Sequence, residues 1–208
     1  MIELRKMLNE LLKNREFNKI INQYLQKSEI IDIFLFGSSM KGKEKPQDID
    51  FLILFNDSIK DVHDILSNLK KELGGLINNA EIHGKRYSEF LDVSYVAREA
   101  LLSGAYSLKK KDFFSKSLGY SSFILFKYSL KNLNNSKRMQ FYYSLYGRGK
   151  EKGMLYKKSA IKFSNEIILA QIDNSEIFKD FFDRWKIEYE SFPIILPERL
   201  IKFNAFNK

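Results

Sequence analysis

Apolar positions along this chain recur at helical spacing in some stretches and run continuously or alternate in others. Leu4, Leu8 and Leu11 share one helical face, and Phe17, Ile21, Tyr24 and Leu25 share another, so residues 3–27 predict helix. The phase shifts near Asn14, which predicts a kink or break there. Ile30–Phe36 and Asp48–Phe55 are apolar runs of strand length. Asn56-Asp57-Ser58 predicts a turn and helix N-cap. Ile59, Val62, Leu66, Leu69 and Leu73 then mark one helix face, stopped at Gly74-Gly75. Ala80–Val96 predicts one or two strands, the last being Phe90-Leu91-Asp92-Val93-Ser94-Tyr95-Val96. Ala97–Tyr106 reads as helix.

Lys109-Lys110-Lys111 reads as a solvated linker, dividing the chain into residues 1–108 and 109–208. Beyond it, Ser121–Leu130 alternates as a strand, and a helix capped by Ser136 ends near Tyr146 with Gly147 as its stop. Met154–Tyr156 reads as a short strand and Glu166–Ile172 as a firmer one. Ser175–Lys186 is an amphipathic helix, and Tyr189–Leu196 a final strand that Pro193 confines to an edge or bulge. The second half is therefore expected to be β-α-β-β-α-β, a small ferredoxin-like α/β sandwich.

The chemistry concentrates between the first two strands. Phe36 is followed by Gly37-Ser38-Ser39, a polar loop, and then Asp48-Ile49-Asp50. Side chains alternate along a strand, so Asp48 and Asp50 point to the same side. Two such carboxylates repel unless a cation lies between them, and hard oxygen donors suit Mg²⁺. Gly37 permits a tight turn, and Ser38 and Ser39 offer hydroxyl and amide donors to phosphate oxygens. A short helix starting at Ser38 would aim its first N–H groups at those phosphates.

This arrangement resembles the nucleotidyltransferases of the DNA polymerase beta superfamily, whose signature is an apolar residue, Gly-Ser, a loop, Asp-x-Asp in a strand and a third carboxylate on a later strand. Gly37, Ser38, Asp48 and Asp50 match, as does Gly42. Over about residues 1–105 the resemblance implies an α+β fold with a mixed sheet and flanking helices. It also implies two Mg²⁺ ions (or Mn²⁺) held by Asp48, Asp50 and a third acid, with Gly37, Ser38 and Ser39 holding the phosphates of an NTP. Asp92, embedded in apolar strand-like sequence, is the expected third ligand, ahead of Glu89 and Asp57. The implied reaction transfers a nucleoside monophosphate to a hydroxyl and releases pyrophosphate.

Charge narrows the acceptor. Residues 1–96 hold 14 Lys+Arg and 15 Asp+Glu, whereas 97–208 hold 21 and 11; within 109–162 the ratio is 14 to 2, interleaved with Phe and Tyr. Such a segment suits a polyanion with stackable bases, so an RNA or DNA end is the expected acceptor, with Lys137, Arg138, Arg148, Lys150 and Lys152 as candidate contacts. A general Lys, Asn and Ile bias accounts for many lysines but not for the near absence of acids. Two other classes stay open: nucleotidylation of a protein or small molecule, and a nucleic-acid-binding module without turnover. The chain has no Cys and two His, which argues against disulfides and a zinc centre, and His63 and His83 read as ordinary surface or strand residues. Its apolar runs are too short to span a membrane, and the charged N-terminus is unlike a signal peptide, so cytoplasm is the expected location.

Overall fold

Asn14 interrupts the N-terminal helical pattern by turning its side chain onto the backbone. Its carboxamide oxygen accepts from the amides of Glu16 (2.9 Å) and Phe17 (3.1 Å), capping helix α1, Arg15–Leu25. The computed structural model describes residues 10–37 and 48–202. It divides into two compact units, residues 1–118 and 119–208. No helix among the described residues is long and apolar enough to cross a membrane.

The first unit is built on strands β1 (Ile30–Phe36), β2 (Ile49–Phe55) and β3 (Ala80–Arg86), with the short strands β4 (Tyr106–Ser107) and β5 (Asp112–Phe113). The sheet order is β3-β2-β1-β4-β5. β2 is antiparallel to β1 and parallel to β3, so the sheet is mixed. Helix α2 (His63–Leu73) makes the crossover between β2 and β3. Because side chains alternate, the central strands feed two cores. Ile33, Leu35, Phe51, Ile53 and Phe55 pack with Phe17 and Ile21 of α1 and Leu69 and Leu73 of α2. Phe34, Leu52 and Leu54 pack on the other side with Phe90 of α3 (Tyr87–Leu91) and Leu101 of α4 (Ala97–Gly104). This is the mixed sheet with flanking helices that the resemblance implies.

Two expectations fail here. Of the one or two strands expected within 80–96, β3 forms, but the strand expected to carry Asp92 does not; that stretch is helix α3 followed by turns. Glu89 draws the chain into that helix, because its carboxylate accepts from the Arg86 amide (2.9 Å) at the helix start. The lysine run is not a linker either. It is the turn of the β4–β5 hairpin, and Lys109 Nζ donates to the Ile31 carbonyl (2.7 Å). The division between units falls about ten residues later, after helix α5 (Phe114–Ser117).

The second unit holds β6 (Tyr120–Ser129), α6 (Asn135–Tyr146), the hairpin β7–β8 (Gly147–Arg148 and Glu151–Lys152), α7 (Met154–Lys157), β9 (Ile161–Ser164), β10 (Ile167–Gln171), α8 (Ser175–Arg184), β11 (Glu188–Pro197) and α9 (Glu198–Lys202). Its main sheet has the order β11-β6-β10-β9, antiparallel throughout. Phe126, Tyr128, Ile168 and Ala170 of the strands bury against Phe141, Leu145, Phe178 and Phe182 of the helices. Met154–Tyr156 is helical, not a strand; the next strand of the main sheet after α6 is β9. Pro193 lies in the edge strand β11, where its missing N–H removes no ladder bond to a second neighbour.

One buried acid ties the hairpin to the sheet. Asp32 of β1 accepts from Ser107 Oγ (2.6 Å) and from the amides of Ile33 (2.7 Å) and Lys109 (3.3 Å). Burial pushes its carboxyl above the ordinary value, and these hydrogen bonds work against that push. Ser107→Ala removes one donor from a buried acceptor, which costs about 1–3 kcal/mol. We expect a lower urea midpoint with an unchanged slope; an unaltered midpoint would show that Asp32 does not need this donor.

Candidate active site

The site forms where three strand ends meet. Phe36, the last residue of β1, is paired with Asp50 near the start of β2. Gly37 follows with φ +81°, and a β-carbon there would collide with Asp50 Oδ2. Glycine is required twice over, for the left-handed backbone and for the space taken by the carboxylate. Asp48 precedes Asp50 by two residues, and its charge acts on the Asp50 carboxyl.

The parallel register of β2 and β3 adds the rest. Glu81 lies opposite Asp50, and His83 opposite Leu52. One ligand atom from each of Asp50, Glu81 and His83 lies within 4.8 Å of the others. His83 Nε2 is 3.8 Å from Glu81 Oε2, and its ring lies 6.0 Å, centroid to centroid, from that of Phe36. Burial is the main cause that raises the Asp50 carboxyl above its usual value; the Asp48 and Glu81 carboxylates raise it further, and His83 opposes them. Converging carboxylate oxygens beside an imidazole fit a divalent cation, and the oxygen donors suit a hard one such as Mg²⁺. The cradle at Gly37, where any β-carbon would strike Asp50, keeps that carboxylate free of a covering side chain.

Asp92 does not join this group. It caps the C-terminus of α3, is exposed, and accepts from Ser94 N (2.8 Å) and Ser94 Oγ (2.7 Å). The Ser94 hydroxyl bond, then the amide bond, hold its carboxyl below the ordinary range. α3 lies past the far end of β3, and its Ser88 bonds through Oγ (2.6 Å) and N (3.0 Å) to Asp57, beyond the end of β2. Asp50 is five residues back along β2 from Phe55, about 16 Å at ~3.3 Å per residue. Asp57 and Glu89 lie at that same far end. Glu81, not Asp92, is the acid that the third strand sets beside Asp50. The signal for it was in the sequence: strand, helix, strand implies a parallel pair whose starts share one edge. An acid at the start of the third strand, not after its end, therefore meets the Asp-x-Asp.

Ser38 and Ser39 lie outside the described residues. Among the basic candidates, Arg138 is committed within its own unit: Nε donates to the carbonyls of Leu130 (3.1 Å) and Leu133 (2.8 Å), and Nη2 to that of Lys131 (3.4 Å). It is a clamp on the β6–α6 loop, not a free contact. Lys137 is exposed on the first turn of α6. Arg148 lies over the Tyr143 ring (4.8 Å), Lys152 over that of Tyr156 (3.6 Å), and Lys150 is exposed between them on the hairpin.

Residues 18–93 match the family model of polymerase beta nucleotidyltransferases. The match takes in β1, Gly37, Asp48, Asp50, Glu81 and His83 and covers less than half of the chain. The nucleotidyltransferase-like stretch thus contains the whole of the cluster described above. A solved structure described as "Crystal structure of the toxin-antitoxin with AMP-PNP" is similar at 17% identity and a TM-score of 0.32, over 49% of this chain and 83% of that one. No curated protein matches the chain.

The electrostatics of Asp50 give a signed expectation. Its folded carboxyl has a raised pKa, so its contribution to stability is complete below the unfolded value and is lost as pH rises through the folded one. In EDTA at about pH 7, Asp50→Asn should melt above the wild type, and the difference should close as pH falls toward about 4. A variant that melts lower than wild type at neutral pH without metal would contradict this account of the cluster.

Proposed function

We propose that the chain is a divalent-cation-dependent nucleotidyltransferase that moves a nucleoside monophosphate from an NTP to a hydroxyl acceptor. The observation that carries this reading is the meeting of Asp50 with Glu81, with Gly37 turned against Asp50 and the Asp48 charge acting on it, inside the stretch that matches the family model. Asp48, Asp50 and Glu81 would hold the cation, which when bound supplies charge neutralisation on the triphosphate and acidity to the attacking hydroxyl. Gly37 keeps the backbone of the first turn against Asp50, so the carboxylate is held in place before substrate arrives. Ser38 and Ser39 take the terminal phosphates in this reading. The half-buried position of Asp50 strengthens its interaction with any charge brought to it.

The acceptor we propose is an RNA or DNA end, met by the second unit, which we read as the ferredoxin-like sandwich suggested by its antiparallel main sheet, whose strands β6, β9, β10 and β11 with helices α6 and α8 follow a β-α-β-β-α-β order. Support comes from Arg148, Lys150 and Lys152 on one hairpin, beside the exposed rings of Tyr143 and Tyr156. Cations beside exposed aromatic faces suit a strand of nucleic acid. One observation favours the other acceptor class, a protein or small molecule. Tyr128, Phe126 and Phe141 of the aromatic-rich segment are fully enclosed in the core, which leaves fewer rings for stacking than the composition implies. We place the reaction in the cytoplasm.

The test is incubation with each α-labelled NTP and Mg²⁺ or Mn²⁺ in the presence of RNA, DNA or lysate protein, followed by nuclease or protease digestion. Asp50→Ala and Glu81→Ala should each lower transfer by more than about 100-fold, beyond the usual effect of groups behind a metal's own ligands. Asp92→Ala should retain activity. Full activity in a folded Glu81→Ala protein would remove the proposed third carboxylate.

For the acceptor, oligonucleotide binding should weaken steeply with salt. Lys150→Ala should lower the salt slope by roughly 1, with little dependence on sequence. A slope near zero in the wild type would move the acceptor to the protein or small-molecule class.

A further inference from the structure

We infer that His83 is a nitrogen ligand to the cation held by Asp50 and Glu81, and that it turns the site from Mg²⁺ toward Mn²⁺. This rests on reading that cluster as the cation site. On β3 the side chains of Glu81 and His83 emerge on the same side, two residues apart, and the parallel register sets both beside the Asp50 side of β2. The ligand atoms of the three residues fall within 4.8 Å of one another. Donors on opposite sides of one ion at about 2.1 Å are about 4.2 Å apart, so small side-chain adjustments suffice.

The imidazole is placed but not used up. Its ring packs beside Phe36 at 6.0 Å between centroids, and about half of its side-chain surface is open to solvent. Its separation from Glu81, 3.8 Å, is too long for a hydrogen bond, and a solvent-exposed pair of this kind contributes little to folding. What the position offers is a ring nitrogen aimed at the same space as two carboxylates. Nitrogen discriminates between cations where oxygen does not: Mg²⁺ favours oxygen donors and gives up water reluctantly, whereas first-row transition dications accept imidazole readily. A carboxylate-rich set with one imidazole therefore favours Mn²⁺, the oxygen-tolerant member of that series.

The decisive measurement is pulsed electron paramagnetic resonance of Mn²⁺ bound to the full chain, with calorimetric titration of Mn²⁺ and Mg²⁺. Wild type should show ¹⁴N coupling from a directly bound imidazole, and His83→Gln, which offers an oxygen of similar reach, should abolish it. Mn²⁺ affinity should fall about tenfold or more in His83→Gln and His83→Ala, while Mg²⁺ affinity changes by less than about threefold. Asp50→Asn should weaken both ions. Bound Mn²⁺ without nitrogen coupling, lost in Asp50→Asn, would overturn the role of His83 and leave the carboxylate site standing. Equal weakening of both ions in His83→Ala would do the same. Failure of wild type to bind either ion would overturn both. Nitrogen coupling in a protein that transfers no nucleotide would sustain this inference and count only against the transferase reading.

Discussion

Repulsion among carboxylates at the shared starting edge of β2 and β3 is the constraint that the first unit is organised to withstand. Acids brought together in a half-buried place would separate if the backbone let them. Here it does not, because β2, which carries Asp50, is buried on both faces and fixes the register of β3 beside it. Phe51, Ile53 and Phe55 anchor β2 in one core while Leu52 and Leu54 anchor it in the other. Each such side chain contributes about 1.5–3 kcal/mol on burial, so the sheet can hold an unfavourable cluster at its edge. The register does the positioning: Phe36 opposite Asp50 from one neighbour, Glu81 opposite Asp50 from the other. Gly37 then completes the arrangement by having no side chain.

What could be read in the sequence divides along the same line. β1 is found over Ile30–Phe36 and β2 within one residue of the expected span, because a continuous apolar run bounded by polar turns has few other uses. The Asp-x-Asp and the glycine before it were legible for the same reason. Asp92 sits in apolar sequence that suits a strand, but hydrogen bonds decide otherwise. Glu89 caps α3 from inside, Asp57 binds Ser88, and Asp92 folds onto Ser94. None of these pairings is visible in hydrophobic periodicity. Glu81 has a plain local pattern that carries no signal by itself, since its meaning comes from the parallel pairing of β3 with β2, a tertiary fact.

In the second unit, composition misled where position matters. The abundance of Phe and Tyr suggested stacking surface, yet Phe126 lies 5.5 Å from Phe182 and Tyr128 lies 5.5 Å from Phe141, ring to ring, inside one core. Tyr128 and Tyr146 also share a hydroxyl contact of 3.0 Å, and burial, with that contact next, pushes the Tyr128 phenol well above its ordinary range. A phenol in that setting is a neutral core member. Met154–Tyr156 illustrates the opposite difficulty: three apolar residues fit a strand or a helix turn equally well, and the chain uses them as helix.

The basic residues sort themselves by the same test of what each side chain touches. Lys109 and Arg138 are engaged on backbone carbonyls and serve the fold. Arg148, Lys150 and Lys152 are different, for they project from a hairpin whose neck is very tight. A β-carbon at Gly147 would run into the backbone of Glu151 and Gly153, and one at Gly153 into the backbone of Leu145, Tyr146 and Gly147. A loop that only had to keep the protein soluble would need lysines but not this close approach of two backbone segments. Fixing the hairpin limits the conformations open to its three cations, which lowers the ordering cost of meeting a polyanion. Charge alone would be a property of composition; charge held on a constrained hairpin is a property of position.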